Sequence, residues 1–209
     1  MHALNELILS LGLVGIVTVV FVESGFPFAF FLPGDTILFA AGLFAAQGQF
    51  PITLAITTIF IANFAGVTIG YWSGRGLGKR YVKEESKFLF RHEYVEKAER
   101  FYEKHGGKAI ILGRFIPAVR SFVPVIAGVA KMNYRDLMFY NAIGAFIWAT
   151  SVPLVGYYSG AWLESQGISI ELLVVPVFIL VVVLSFLGPL VHALGSKKTR
   201  EKLLRRFKK

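Results

Sequence analysis

The chain contains no cysteine among its 209 residues, and only 17% of its residues are charged. The missing thiols exclude a disulfide scaffold, thiol catalysis and metal sites with cysteine ligands. Soluble domains carry about 25% charged and about 45–50% apolar residues, whereas 55% of this chain is hydrophobic and 15% is aromatic. The composition excludes an ordinary soluble domain, and the high aromatic content excludes a disordered chain.

Charged side chains are missing from three long stretches. None occurs in Thr36–Ser73 or in Leu137–Leu163, and Leu172–Ser196 contains only a histidine. A helix needs about 20 apolar residues to cross the hydrocarbon core of a bilayer. The sequence therefore predicts an all-α integral membrane protein. The predicted spans are Ile52–Trp72, Leu137–Leu163 with a kink at Pro153, and Leu172–Leu194.

The first apolar segment, Leu7–Val22, is short for a span. No lysine or arginine precedes Arg75, so the basic region that opens a secretory signal peptide is missing. We therefore expect Leu7–Val22 to be retained as a marginal span.

The net charge of +9 is concentrated in two basic blocks, Ser73–Lys108 and Ser196–Lys209. Lysine and arginine are enriched in cytoplasmic loops, so both blocks are expected on the cytoplasmic side and no nucleic acid partner is expected. The acidic connection Glu164–Glu171 is expected outside, and the orientation of the N-terminus stays open. Within the first block, about 79–105 has the spacing of an amphipathic helix on the membrane surface. Residues 196–209 form the basic cytoplasmic tail.

Two further apolar segments, about 24–48 and about 107–130, are interrupted by prolines and charges. Irregular backbone at membrane depth persists only where protein or a wet cavity surrounds it. Both segments are therefore predicted to be re-entrant helical hairpins that enter from opposite sides. The residues expected to shape them are Pro33, Gly34, Pro117, Pro124 and Gly128.

An internal repeat links the two halves of the chain. Gly70–Gly74 reads Gly-Tyr-Trp-Ser-Gly and Gly156–Gly160 reads Gly-Tyr-Tyr-Ser-Gly, and an Asn-x-x-Gly motif precedes each, at Asn63 and at Asn141. The order of hairpin and span, repeated in opposite orientation, predicts an inverted repeat of the kind that transporters contain. The alternative is that these motifs reflect only close helix packing through small residues.

Four charged residues fall inside the predicted membrane segments: Glu23, Asp35, Arg114 and Arg120. Charges at that depth are costly and usually face a cavity or a partner. Arginine presents a fork of donors that suits phosphate oxygens, and a carboxyl group shielded from water can carry a proton near neutral pH. The four residues therefore predict a proton-responsive anion site where the hairpins meet. The alternative is that they form buried salt bridges that lock the hairpins.

Motifs typical of enzymes and metal sites are missing. The sequence contains no Gly-x-Ser-x-Gly, no His-Glu-x-x-His and no paired catalytic carboxylates, and its four histidines are scattered. We expect no catalytic residue, no metal and no cofactor.

Two runs of residues resemble the signatures of a known family. The first is Phe21–Gly25 followed by Phe31–Asp35, and the second is His105–Lys108 followed by Gly113–Arg120. They resemble the DedA (SNARE-associated, VTT-domain) membrane proteins. The family's following helix is also matched, at Phe139, Asn141, Gly144, Ala145 and Trp148. The resemblance implies a single membrane domain over residues 1–195 with two facing re-entrant hairpins.

The resemblance also implies a multi-pass lipid transporter of the cytoplasmic (inner) membrane of a prokaryote, with a cytoplasmic C-terminus and dependence on the proton gradient. The first hypothesis is recycling of undecaprenyl phosphate, with Arg114 and Arg120 binding the phosphate and with Glu23 and Asp35 coupling protons or balancing charge. One alternative is a transporter or scramblase for phospholipids such as phosphatidylethanolamine. Another is a proton or cation antiporter that serves pH homeostasis. The expected partners are membrane lipids and protons, and self-association stays open.

Overall fold

The computed structural model describes residues 2–29, 32–81, 107–168 and 183. Their secondary structure is helical, which agrees with the predicted all-α class. In chain order the elements are α1 (His2–Gly25), a 3₁₀ turn (Pro27–Ala29), α2 (Gly34–Ala46), α3 (Ile52–Tyr81), α4 (Lys108–Gly113), α5 (Pro117–Val129) and α6 (Tyr134–Ser165).

Within the described residues, α3 and α6 are long and apolar enough to cross a membrane. They contain 30 and 32 residues, which corresponds to about 45 and about 48 Å. Only 33% and 39% of their most apolar windows are buried, whereas the core helix of a soluble protein is mostly buried. They correspond to the predicted spans Ile52–Trp72 and Leu137–Leu163, each extended at its ends.

The outward faces of α3 and α6 are apolar. Large exposed side chains repeat at helical spacing along both helices; they include Leu54, Ile61, Ile69, Trp72, Phe139, Phe146, Val155, Tyr158 and Trp162. An apolar outer face around a polar interior is the arrangement that lipid requires of a membrane helix.

Helices α2 and α5 are short, with 13 residues each. Each is therefore about 20 Å long, less than the roughly 30 Å of hydrocarbon that a spanning helix must cross. Each short helix packs against the long helix of the other half of the chain, α2 against α6 and α5 against α3.

Glycines allow these helix pairs to approach backbone to backbone. A methyl group at Gly42 of α2 would overlap the carbonyl of Pro153 on α6, and one at Gly156 would overlap the carbonyl of Phe39. In the other pair, a methyl group at Gly74 or Gly128 would meet the facing backbone of α5 or α3. These contacts use small residues as membrane helix interfaces commonly do.

Two apolar clusters fill the space between the helices. One lies between α1, α2, α3 and α6 and includes Val20, Leu38, Ile59 and Trp148. The other lies toward the opposite end of α3 and includes Val67, Tyr71, Ile110, Ala127 and Leu137.

A polar and aromatic cluster joins the second half of α3 to the start of α6. Tyr71 Oη donates to the carbonyl of Met132 at 2.6 Å and accepts from Arg75 Nη1 at 2.6 Å. The hydroxyls of Thr68 and Tyr134 are hydrogen-bonded at 3.0 Å. This cluster is separate from the four predicted site residues.

Two prolines that were expected to disturb helices do not end them. Helix α5 continues through Pro124, and α6 continues through Pro153. Both prolines are fully buried, and the packing of a membrane bundle tolerates the carbonyl that each leaves without its usual donor. The expectation that Pro124 breaks the second hairpin is therefore wrong; the chain breaks at 114–116, between α4 and α5.

The segment predicted to form the first hairpin, about 24–48, contains the end of α1, the 3₁₀ turn and α2. The predicted amphipathic helix beyond Tyr81, the span Leu172–Leu194 apart from residue 183, and the tail 196–209 lie outside the described residues.

Candidate functional site

The four predicted site residues lie at helix ends that face one another. Glu23 is in the last turn of α1, and Asp35 is in the first turn of α2. Arg114 directly follows α4, and Arg120 is in the first turn of α5. The breaks in the two predicted hairpins thus bring two acids and two bases into one region.

Arg120 binds both acids. Its Nε donates to Glu23 Oε1 at 3.1 Å, its Nη2 donates to the same oxygen, and its Nη1 donates to Asp35 Oδ1 at 2.6 Å. The planar fork of the guanidinium allows one side chain to hold carboxylates from two helices. We call Glu23, Asp35 and Arg120 the ion-pair cluster.

Arg114 has a different partner. Its Nη1 donates to Asn141 Oδ1 of α6 at 2.5 Å, and the salt bridges found among the described residues do not include it. Only 6% of Arg114 is exposed. The structure therefore places Arg114 beside the ion-pair cluster, with a neutral amide as its hydrogen-bond acceptor.

Trp148 of α6 connects the two arginines and was not predicted as a site residue. Its Nε1 donates to Asp35 Oδ1 at 2.7 Å. Its ring lies 4.8 Å from the guanidinium carbon of Arg120 and 5.3 Å from that of Arg114. Both distances are within the range of cation–π attraction. A sequence signal existed in the spacing of Asn141, Gly144 and Trp148, which places all three on one face of α6.

Burial differs sharply across the site. Glu23 is 2% exposed, and the side chain of Arg120 is 9% exposed, whereas 46% of the Asp35 side chain is accessible. Asp35 is therefore the most accessible member of the ion-pair cluster.

Pro33 and Gly34 shape the cluster at the start of α2. Pro33 is the N-cap residue, and a methyl group at Gly34 would overlap the Glu23 carboxylate. Glycine at this position allows the helix end to approach the acid. Asp35 in the first turn is stabilised by the positive end of the helix dipole.

The predicted shaping residues of the second hairpin have separate places. Pro117 is the first residue of α5, Pro124 is buried within the helix, and Gly128 contacts the backbone of α3 at Tyr71. Gly128 therefore serves the packing of α5 on α3 and does not shape the break at Arg114.

Exposed apolar side chains surround the chain breaks. They are Phe28 in the 3₁₀ turn, together with Leu112, Phe115, Ile116 and Val119 around the break between α4 and α5. The polar site is therefore bordered by a surface that suits lipid hydrocarbon chains.

The two acids and two arginines have formal charges that cancel. A site of low dielectric constant favours this balance, since an uncompensated charge there is costly. Among the residues that the structure describes, no group of three or more His, Asp or Glu side chains could hold a metal ion.

Comparison with known proteins adds a family relationship. Residues 32–158 match the family model of the VTT domain, a range that includes Asp35, Arg114 and Arg120. The chain is 35% identical to Protein DedA of Escherichia coli (strain K12) over 182 residues, which cover 86% of this chain and 81% of that protein.

Two other relatives are also named as membrane proteins. The chain is 34% identical to Inner membrane protein YqjA of Escherichia coli (strain K12) over 68% of this chain and 64% of that protein. It is 38% identical to Uncharacterized membrane protein Rv0364 of Mycobacterium tuberculosis over 70% of this chain and 65% of that protein. No solved structure matches the chain significantly.

Proposed function

Because the chain belongs to the DedA family of VTT-domain membrane proteins, we propose that it transports a lipid phosphate across the membrane. The substrate that we favour is undecaprenyl phosphate, which the protein would recycle across the cytoplasmic membrane of a prokaryote. The name of the relative YqjA, an inner membrane protein, supports this location.

The observation that carries the proposal is the environment of Arg120. This guanidinium is held by two carboxylates, and one of them, Asp35, is half exposed while Arg120 itself is buried. A phosphate group, like a carboxylate, presents oxygen acceptors that can bind a guanidinium in a bidentate manner. It can therefore take the place of Asp35 on Arg120 without requiring a new cation.

Charge balance links this exchange to protons. The formal charges of Glu23, Asp35, Arg114 and Arg120 sum to zero, and a phosphate adds negative charge. Protonation of the released Asp35, and of Glu23 for a dianion, restores neutrality in the low-dielectric site. The two acids are then the proton-coupling residues, and Arg114 supplies the second positive charge for the phosphate.

We further propose that the two chain breaks belong to re-entrant hairpins related as an inverted repeat. Two features support this: α2 and α5 are too short to span the bilayer, and each packs on the long helix of the other half. The basic composition of residues 73–108 supports a cytoplasmic location for the loop after α3. Alternating access would then arise from movement of the hairpins about the ion-pair cluster.

The test is uptake of undecaprenyl phosphate by proteoliposomes that contain the purified protein and an imposed proton gradient. We expect Arg120→Ala and Arg114→Ala to abolish uptake. Arg75→Ala is the matched control, since Arg75 is bound to Tyr71 outside the cluster, and it should retain uptake. Uptake that is unaffected by Arg120→Ala would contradict the proposal.

The same proteoliposomes distinguish lipid-phosphate transport from the two alternative functions. Movement of phosphatidylethanolamine in both directions without a proton gradient would indicate a phospholipid scramblase. Flux of protons or cations in vesicles without either lipid substrate, abolished by Asp35→Asn, would indicate an antiporter. The lipid-phosphate assignment requires that neither result is obtained.

A further inference from the structure

A small cavity lies beside the ion-pair cluster, on the side of Arg114. Its volume is about 20 Å³, and its polar lining comes from Ser24, Asn63, Asn141, Arg114 and, on the side of the ion-pair cluster, Arg120. A cavity of about 10–15 Å³ in this measure holds one water molecule. The space is therefore suited to a single water and is too small for a phosphate group.

Apart from Arg120, the polar side chains around the cavity are almost completely buried. Ser24 is 8% exposed, Asn63 2%, Arg114 6% and Asn141 3%. They form two hydrogen-bonded pairs: Asn63 Nδ2 donates to Ser24 Oγ at 2.7 Å, and Arg114 Nη1 donates to Asn141 Oδ1 at 2.5 Å. The four side chains come from α1, α3, α6 and the break after α4.

Three polar atoms of these side chains have no protein partner within the described part of the chain: Asn63 Oδ1, Arg114 Nε and Asn141 Nδ2. They comprise one acceptor and two donors. A buried polar group without a partner is costly, and most such groups in folded proteins are satisfied by protein or by ordered water.

We propose that this cavity is a binding site for one water molecule. The water donates a hydrogen bond to Asn63 Oδ1 and accepts one each from Arg114 Nε and Asn141 Nδ2. Three hydrogen bonds are typical of a buried water. An anion such as chloride fits less well, because the carbonyl oxygen of Asn63 would then face a negative charge.

The site gives a role to the two Asn-x-x-Gly motifs. Asn63 binds Ser24, and a methyl group at Gly66 would come within 2.9 Å of Ser24 Cβ. Each motif thus combines an asparagine that bonds a partner with a glycine that makes room for it.

The second motif follows the same rule. Asn141 binds Arg114, and a methyl group at Gly144 would come within 3.2 Å of Arg114 Cδ. The water therefore bridges the two equivalent Asn-x-x-Gly motifs on the two long helices. It also gives Arg114 a second neutral hydrogen-bond partner.

The first test adds one methylene group to the wall of the cavity, as Val67→Ile and separately as Val123→Ile. If a water is bound, the added group displaces it and leaves three polar atoms unpaired, so the melting temperature in detergent falls by roughly 3–8 °C. If the cavity is dry, filling it leaves the melting temperature unchanged or raises it. Val155→Ile is the control, because Val155 is 59% exposed, and it should change nothing.

Steric strain would also lower the melting temperature, and a second background separates it from water loss. The variant Asn63→Leu/Asn141→Leu lacks two of the three polar atoms that would bind the water. Adding Val67→Ile to this variant should therefore lower the melting temperature little further. An equal loss in both backgrounds, or a gain in the original protein, would overturn the proposal.

A measurement on the unmodified protein decides the matter if that double variant does not fold. X-ray pulses convert bound water to hydroxyl radicals, which modify side chains next to it. Leu137 lines the cavity whereas Leu38 does not, and both are 0% exposed. We expect Leu137 to be modified more than Leu38. This excess modification of Leu137 should be lost in Val67→Ile. Equal modification of the two leucines would refute a bound water.

Discussion

Arg114 and Arg120 lie on the same predicted hairpin and have opposite surroundings. Arg120 is held by two carboxylates, one of which is accessible from outside. Arg114 is buried, and its hydrogen-bond acceptor is the amide of Asn141. Trp148 lies against both guanidinium groups. The two arginines therefore differ in the ionic and hydrogen-bond partners that the fold supplies. Burial alone does not explain this difference.

Under the proposed function, the difference implies two tasks for two similar residues. Arg120 is neutralised by carboxylates and would have to exchange one of them before it binds a phosphate, so it would link binding to release of an acid. Arg114 has a neutral partner and would attract the anion without an exchange step. The following predictions test this distinction, beginning with the largest expected effect.

We expect Arg120→Gln to lower uptake of the lipid phosphate by about 100-fold or more, since several charge-assisted hydrogen bonds are lost. It should also destabilise the protein by about 3 kcal/mol, because the buried carboxylate of Glu23 loses its partner. Arg114→Gln should lower uptake as well but should destabilise the protein less than Arg120→Gln does, because the partner it leaves behind is a neutral amide and not a buried carboxylate. Proteoliposome uptake and thermal unfolding measure the two effects.

The double variant Glu23→Gln/Arg120→Gln is the control for this contrast. Removal of both members of a buried pair costs less than removal of one, so the double variant should be more stable than Arg120→Gln and equally inactive. If the double variant is less stable than Arg120→Gln, the unpaired Glu23 carboxylate does not explain the loss of stability.

Gly34→Ala should lower uptake by roughly 30-fold and destabilise the protein by about 2 kcal/mol, because its methyl group forces the Glu23 carboxylate away from Arg120. Gly15→Ala is the matched control. No atom lies within 4 Å of a methyl group at Gly15, so this change should be neutral or stabilising by up to about 1 kcal/mol. Equal effects of the two changes would contradict the assigned contact.

Asn141→Asp makes the surroundings of Arg114 resemble those of Arg120. The new carboxylate neutralises Arg114, and we expect uptake to fall by on the order of tenfold because the site gains a negative charge. Asn133→Asp, at the exposed N-cap of α6, is the control and should retain uptake. Unchanged uptake in Asn141→Asp would mean that the neutral partner of Arg114 has no functional role.

Trp148→Phe is expected to have the smallest effect. The ring that lies against both arginines is kept, while the hydrogen bond to Asp35 is lost, which corresponds to about 1 kcal/mol or about fivefold in uptake. Trp148→Leu removes the ring as well and should be more severe. If the two variants behave alike, cation–π contact with the arginines contributes nothing.

The sequence was sufficient to predict the features that local composition determines. Apolar runs indicated the helices now seen as α3 and α6, and four charges within apolar segments indicated Glu23, Asp35, Arg114 and Arg120. These signals are local, because a charge in an apolar run is unusual whatever its partner is.

Partner choice depends on the register between distant helices and could not be predicted. Glu23 and Arg120 are 97 residues apart, and no spacing rule distinguishes Arg120 from Arg114 as the partner of the acids. Trp148 gave only a weak signal, its helical spacing from Asn141 and Gly144. It is 3% exposed, while Trp72 and Trp162 are 55% and 61% exposed. All three tryptophans lie in apolar runs, and the packing of α6 on α2 decides which of them reaches the site.

The glycine contacts of α2 with α6 and of α5 with α3 have a mechanical consequence. A motion that preserves them cannot separate the two halves of the sequence, because each short helix moves with the long helix of the other half. The contacts instead define two interleaved groups of helices, or bodies: α1 with α3 and α5, and α2 with α4 and α6. The Glu23–Arg120 and Arg114–Asn141 pairs each lie within one body, whereas the Asp35–Arg120 bond crosses between them. Release of Asp35 would therefore remove the ionic link between the two bodies and leave the apolar clusters and the hydrogen bonds of Thr68 and Tyr71 to hold them together.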